Sequence, residues 1–266
     1  MQTMPALFLG HGSPTNALED NHYTQAWRRF GAALPRPRVL LVVSAHWFIG
    51  ATAVTAMARP RTIHDFYGFP PELFAFDYPA PGLPELAEEV AEVAKPHWVG
   101  ADRDQWGLDH GTWSVLTHLF PEADVPVVQL SINASKPLDY HLDLAAKLDP
   151  LRRRGVMIVA SGNVVHNLRR VQWDRPDTGA DWARRFDDAV AGQMADSPAD
   201  ILKSVEHPDF AMAVPTPDHF IPLLYIAGLA AASGADARAL LRGYSMGALS
   251  MTCYGIWPDF QPQEAS

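Results

Sequence analysis

The chain has 266 residues, 48% of them apolar and 19% charged, enough to bury a sizeable core in one large α/β domain or two small ones. A net charge of −9, with no basic run beyond residues 152–154, argues against nucleic acid as a partner. The single cysteine, Cys253, excludes an internal disulfide and a cysteine-based zinc site, and it suits a reducing compartment.

Residues 1–4 carry no positive region ahead of a short apolar run, so no secretory signal is expected. Residues 6–9 read as a buried strand that stops at "GHGSP", and residues 39–44 as a second that runs into "SAHWF". Residues 59–84, dense in proline and aromatics and without a period, read as a long functional loop. A helix is expected over 84–95, with Leu86, Val90 and Val93 on one face and Pro84 in its first turn. "WGLDHGTW" places His110 just before another helix. Strands follow at 127–132 and 156–160, with a poorer pattern at 249–254, and helices at 137–153, 182–194 and 218–232. The most apolar of these segments, 221–232, is too short to span a bilayer and contains Pro222 and Gly228. Strands alternating with helices predict an α/β fold over 1–266: a single domain with a central, mostly parallel or mixed sheet flanked by helices. A soluble, cytoplasmic protein is expected. No pattern speaks to its oligomeric state.

Ligands of open α/β sheets bind beyond the carboxyl ends of strands. His11, His46 and His166 each follow a predicted strand, while His110 and His219 each precede a predicted helix. Singly, each is equally at home as a hydrogen-bonded structural residue, the reading kept for His22, His97, His118, His141 and His207. Together, five imidazoles at cleft-forming boundaries suit a divalent metal with a proton-transfer partner. The glycines around His11 would let metal and substrate approach the backbone. No H-E-x-x-H or P-loop pattern is present.

The segments "GHGSP", "VVSAHWF", "TIHDFYGFP", "YPAPG", "WGLDHGTW", "VQLSI", "VASGNVVHNLR", "PTPDHFIPLLY" and "MGALSM" occur in that order. From about Met4 to Tyr254 the chain thereby resembles the 4,5-DOPA extradiol dioxygenase family, within the superfamily of the protocatechuate 4,5-dioxygenase catalytic subunit. The resemblance implies that His11, His46 and His219 hold the metal. It also implies that His166 is a ligand in zinc-containing relatives or assists substrate and proton transfer in iron enzymes, and that His110 is the acid/base. His219 stands where the wider superfamily has a carboxylate, so a set of neutral imidazoles suits Zn(II), whereas Fe(II) is the ion expected to support activity. Asp218 is expected to cap the following helix, and Asn163 and Asn167 to orient His166 or to complete its turn.

The function implied is a metal-dependent extradiol dioxygenase that opens the ring of a catechol such as DOPA with O2. The partners are a small catecholic substrate and O2, with no nucleic acid and no membrane. The aromatic loop would close over the ring, with Trp47, His64 and Tyr67, and beside them Phe48, Phe66 and Trp106, as candidate wall. Arg61 is a candidate partner for a substrate carboxylate. The alternatives are a zinc-dependent hydrolase on the same histidines, and a non-catalytic metal- or aromatic-binding protein.

Overall fold

The computed structural model describes residues 3–257. In chain order its strands are β1 (Ala6–Gly10), β2 (Val39–Ile49), β3 (Ala53–Thr55), β4 (Gly100–Asp102), β5 (Val127–Asn133), β6 (Val156–Gly162), β7 (Arg238–Leu241), β8 (Tyr244–Ser245), β9 (Leu249–Ser250) and β10 (Cys253–Ile256). The α-helices are α1 (His22–Ala33), α2 (Pro71–Phe74), α3 (Pro84–Val93), α4 (His110–Leu119), α5 (Leu138–Arg152), α6 (Asp181–Asp196), α7 (Phe210–Ala213) and α8 (Ile221–Ser233).

Eight strands form one mixed sheet in the order β4-β3-β5-β2-β6-β1-β10-β7. Its middle, β5-β2-β6-β1, is parallel, while β3 runs antiparallel to β5 and parallel to β4, and β10 runs antiparallel to both β1 and β7. The apolar runs of the parallel strands are buried along almost their whole length, because helices cover both faces. Side chains alternate across the sheet. Phe8, Leu41 and Val43 pack with Leu86, Leu148 and Leu224 of α3, α5 and α8, and Leu7, Leu40 and Val42 pack with Trp27 and Trp113 of α1 and α4 on the other face. Among the described residues no helix is long and apolar enough to cross a membrane.

Several features differ from the sequence reading, among them β2, which runs on through His46 to Ile49 where a strand over 39–44 was expected. The predicted strand over 249–254 is two strands, because residues 251–252 turn the chain out of the small β8-β9 ribbon and into the main sheet. The last long helix begins at Ile221 rather than 218, and Phe220 occupies its cap position without a side-chain bond. Helix α1 was not expected, although Asn21 and Thr24 form a complete capping box at its start.

Candidate metal centre

His11 follows β1 directly, and its backbone N–H donates to Gly162 O at the end of β6 (3.1 Å). The glycines on either side serve packing rather than ligand approach. A Cβ on Gly10 would stand 2.7 Å from the Met251 carbonyl carbon, and one on Gly12, at φ +64°, would stand 2.6 Å from Met251 Sδ. His46 sits where β2 loses register with β5. The pairing jumps from Val43↔Leu130 to Phe48↔Ile132, so five steps of β2 face two of β5. Such a bulge re-aims side chains, and here it turns His46 toward the strand ends. His110 opens α4, whose cap Asp109 accepts from Thr112 N (3.1 Å) and from Ser44 Oγ (2.7 Å). Gly111 next to it lets the helix start lie against His46, since a Cβ there would meet His46 Cδ2 at 2.8 Å. His219 lies just before α8, and its carbonyl accepts from Asn163 N (2.9 Å).

The five histidine rings meet. His11 has centroids 5.1 Å from His46, 5.3 Å from His219 and 5.8 Å from His110. His46 lies 3.7 Å from His110 and 5.0 Å from His219, and His166 stacks on His219 at 3.5 Å, the planes 2° apart. The donor atoms of His11, His46 and His110 all lie within 4.8 Å of one another. His219 is not in that trio, although its ring contacts both His11 and His46. All five line one cavity of about 730 Å³.

The hydrogen bonds around the rings decide which nitrogens are free. Ser161 Oγ donates to Gly111 O (2.5 Å), so its oxygen accepts from His11 Nδ1 (3.0 Å) and the His11 proton is on Nδ1. Asp65 Oδ2 stands 3.2 Å from His46 Nδ1, and Asp218 accepts from His219 Nδ1. Three imidazoles are thus tied back through Nδ1 and present Nε2 inward, the arrangement by which outlying carboxylates and hydroxyls orient metal ligands. His11 Nε2 and His46 Nε2 face each other at 3.2 Å. His11, protonated on Nδ1, offers a lone pair there, and the space between the two nitrogens takes a single proton or a metal cation. This donor set fits a divalent metal.

Electrostatics act in the same direction. Burial, then the charges of His46 and the other histidines, keep His11 well below the ordinary imidazole range. His219 is lowered likewise, by burial and then by His166, and burial takes His166 down to about 4. His110 is lowered by burial and His46. These rings are neutral at pH 7 and free to donate a lone pair. His46 is the exception: burial pulls it down, but the hydrogen bond to Asp65 and the charges of Asp109, Asp65 and Asp218 outweigh burial and raise it. Asp65 itself is driven far down, the neighbouring His110 and His46 rings overcoming the opposite effect of burial.

Asp65 is the residue that sequence reasoning missed. It stands in the long aromatic loop, with Oδ2 on His46 and Oδ1 at 2.9 Å from His110 Nδ1. The latter contact is out of line for a hydrogen bond and leaves that buried nitrogen without one. The only sequence signal was an aspartate inside "TIHDFYGFP", hidden beside the more conspicuous His64.

The expected aromatic wall is largely elsewhere. Trp47 is buried and stacked on Trp106 (5.7 Å, 3°) away from the cavity. His64 Nε2 bonds Phe76 O (2.9 Å) inside the loop, and Tyr67 projects into solvent, 93% exposed. Phe66 does line the cavity as expected, joined by Phe69 and Trp173. Arg61 is occupied by Gln105 O (2.6 Å). Asp218 bonds His219 rather than capping α8. Asn163 and Asn167 donate to Ser250 O and Met212 O (2.8 Å each), ties to distant segments, and Asn167 Oδ1 accepts from Arg169 N to cap the turn that follows.

Comparison with known proteins agrees with this geometry. The profile of the catalytic LigB subunit of aromatic ring-opening dioxygenase matches residues 5–253. A 4,5-DOPA dioxygenase extradiol of Escherichia coli (strain K12) is 48% identical over 93% of both chains. One from Beta vulgaris is 33% identical over 93% of this chain and 94% of its own. The crystal structure of an uncharacterized Escherichia coli K12 protein, 43% identical, superposes with a TM-score of 0.82 over 96% of this chain and all of the other. Both the histidine-lined cavity and the near full-length match lead to one assignment: the chain belongs to the family of the catalytic LigB subunit of aromatic ring-opening dioxygenases.

Proposed function

We propose that the chain is an extradiol dioxygenase that opens the ring of a catechol such as DOPA, acting as one catalytic domain on a small aromatic diol and O2. The observation that carries this reading is the pair of facing Nε2 atoms of His11 and His46, 3.2 Å apart on the wall of a cavity large enough for an aromatic ring. His11, His46 and His219 are the ligands, each oriented through Nδ1, with His166 beside His219 as a displaceable fourth. A bound divalent metal supplies Lewis acidity for deprotonating the diol and, if it is Fe(II), the redox path that O2 requires. Zn(II) suits the same neutral imidazoles as the ion carried on isolation.

His110 takes the phenolic proton and returns it to the ring-derived oxygen when the ring opens, with Asp65 stabilising the imidazolium between those events. Phe66 and Phe69 bound the aromatic ring and exclude water. A reducing cytoplasm fits the one buried, unpaired thiol, Cys253. Anaerobic loading with Fe(II), followed by oxygen uptake with DOPA, tests the reading. One O2 consumed per ring opened is expected. Iron bound without oxygen uptake on any catechol overturns it.

A further inference from the structure

The cavity is a site by virtue of its histidines, and the charge on its remaining wall is one-sided. Away from the cluster the wall carries two carboxylates, Glu19 and Asp177, and no lysine or arginine is among its lining residues. Glu19 is held by a neutral donor, Asn21 Nδ2, at 3.1 Å. Arg28, the nearest arginine or lysine to Glu19 along the chain, is committed to Asp20 at 2.6 Å, and His22, which also lines the wall, packs on the Tyr23 ring at 3.7 Å. Arg175 and Arg184 line a separate depression that shares Pro176 and Asp177 with the cavity, and neither is part of the cavity wall. The one built-in positive feature, the amino end of α1, is spent: Asn21 Oδ1 already accepts from Tyr23 N and Thr24 N.

Aromatic faces stand beside the carboxylates. Trp173 lines the cavity while 82% exposed, and Tyr23 lines it at the start of α1. Burial and then the Asp177 charge push the Tyr23 hydroxyl upward, which sets Asp177 against the same wall. Carboxylates together with an open indole face attract an ammonium and repel a carboxylate.

We infer that this cavity selects aromatic diols whose side chain ends in a protonated amine, with Glu19 and Asp177 as specificity-determining residues and Trp173 as the aromatic face beside them. The inference rests on the ring-opening reading above and adds the end of the substrate that is read. Of the two charged groups on DOPA, the ammonium meets these carboxylates, and the carboxylate meets no basic side chain on the wall.

Three probes that differ only beyond the ring separate the cases: dopamine (cationic), 4-methylcatechol (neutral) and 3,4-dihydroxyphenylacetate (anionic). Each is titrated calorimetrically into iron-loaded protein without oxygen, and kcat/KM is then measured in air. Dopamine is expected to bind roughly five- to tenfold tighter than 4-methylcatechol, and the anion weaker than both, with the spread shrinking as salt is raised. In the double variant Glu19→Gln, Asp177→Asn, the dopamine to 4-methylcatechol affinity ratio is expected to fall toward about one, a ratio that cancels general damage to the fold. If 4-methylcatechol binds and is cleaved while dopamine is no tighter, or if the ratio survives in the double variant, this inference is overturned and the dioxygenase reading stands. If none of the three binds, both are overturned.

Discussion

Asp65 holds two of the five rings with one carboxylate, Oδ2 on His46 and Oδ1 beside His110. Replacing it by Asn keeps the shape and removes the charge, so both rings lose their orientation together. Asp65→Asn is expected to lower metal affinity or kcat/KM about 10–100-fold, the usual cost of losing a group that orients a ligand. Equilibrium metal titration and steady-state kinetics check this, and an unchanged affinity together with an unchanged kcat/KM would contradict it. Gly12 is the second single-residue case. Its φ of +64° and the 2.6 Å approach of Met251 Sδ leave no room for a side chain. Gly12→Ala is expected to cost about 1–2 kcal/mol from the left-handed backbone alone, more if Met251 cannot move. Urea denaturation at pH 7 measures it.

At the scale of elements, the parallel strands and the helices over them were legible in the sequence because each is a long apolar run or a clear amphipathic period. His11 and His166, just beyond β1 and β6, were legible for the same reason, since a strand end fixes where the following residues stand, whereas His46 lies inside β2 rather than after it. What was not legible depends on contacts distant in the chain. The bulge in β2 that turns His46 needs β5 as its reference. The use of Asp218 on His219 rather than on α8, and the withdrawal of Trp47 onto Trp106, are decided by tertiary neighbours. Helix α1 has its capping box but a polar, arginine-rich face that masked the period.

His141 in α5 makes a stability prediction at this scale. It is fully buried, with Nδ1 3.3 Å from Tyr225 Oη and Nε2 unpartnered. Burial brings it from 6.5 to about 4. Between those values the unfolded chain binds the proton and the folded chain does not. Stability therefore falls as pH drops from 6.5 to 4, by about 3 kcal/mol from this residue. The difference in urea midpoint between pH 7 and pH 4.5 is expected to be smaller in His141→Gln than in the unaltered protein, and equal differences would contradict the account.

Across the whole molecule, one sheet gathers imidazoles from residues 11, 46, 110, 166 and 219 onto one cavity wall. The fold brings them together, and the contacts at Nδ1 aim His11, His46 and His219. The claim on which everything else depends is that His11, His46 and His219 share one ion. His11→Ala and His219→Ala are each expected to lose stoichiometric metal while keeping the fold, since neither side chain belongs to the apolar clusters on either face of the sheet. The most direct measurement is anomalous diffraction at the iron edge from crystals grown anaerobically with Fe(II). The account predicts a single peak within bonding distance of Nε2 of all three histidines. A peak that touches fewer than two of them, or strong binding elsewhere with this position empty, would contradict it.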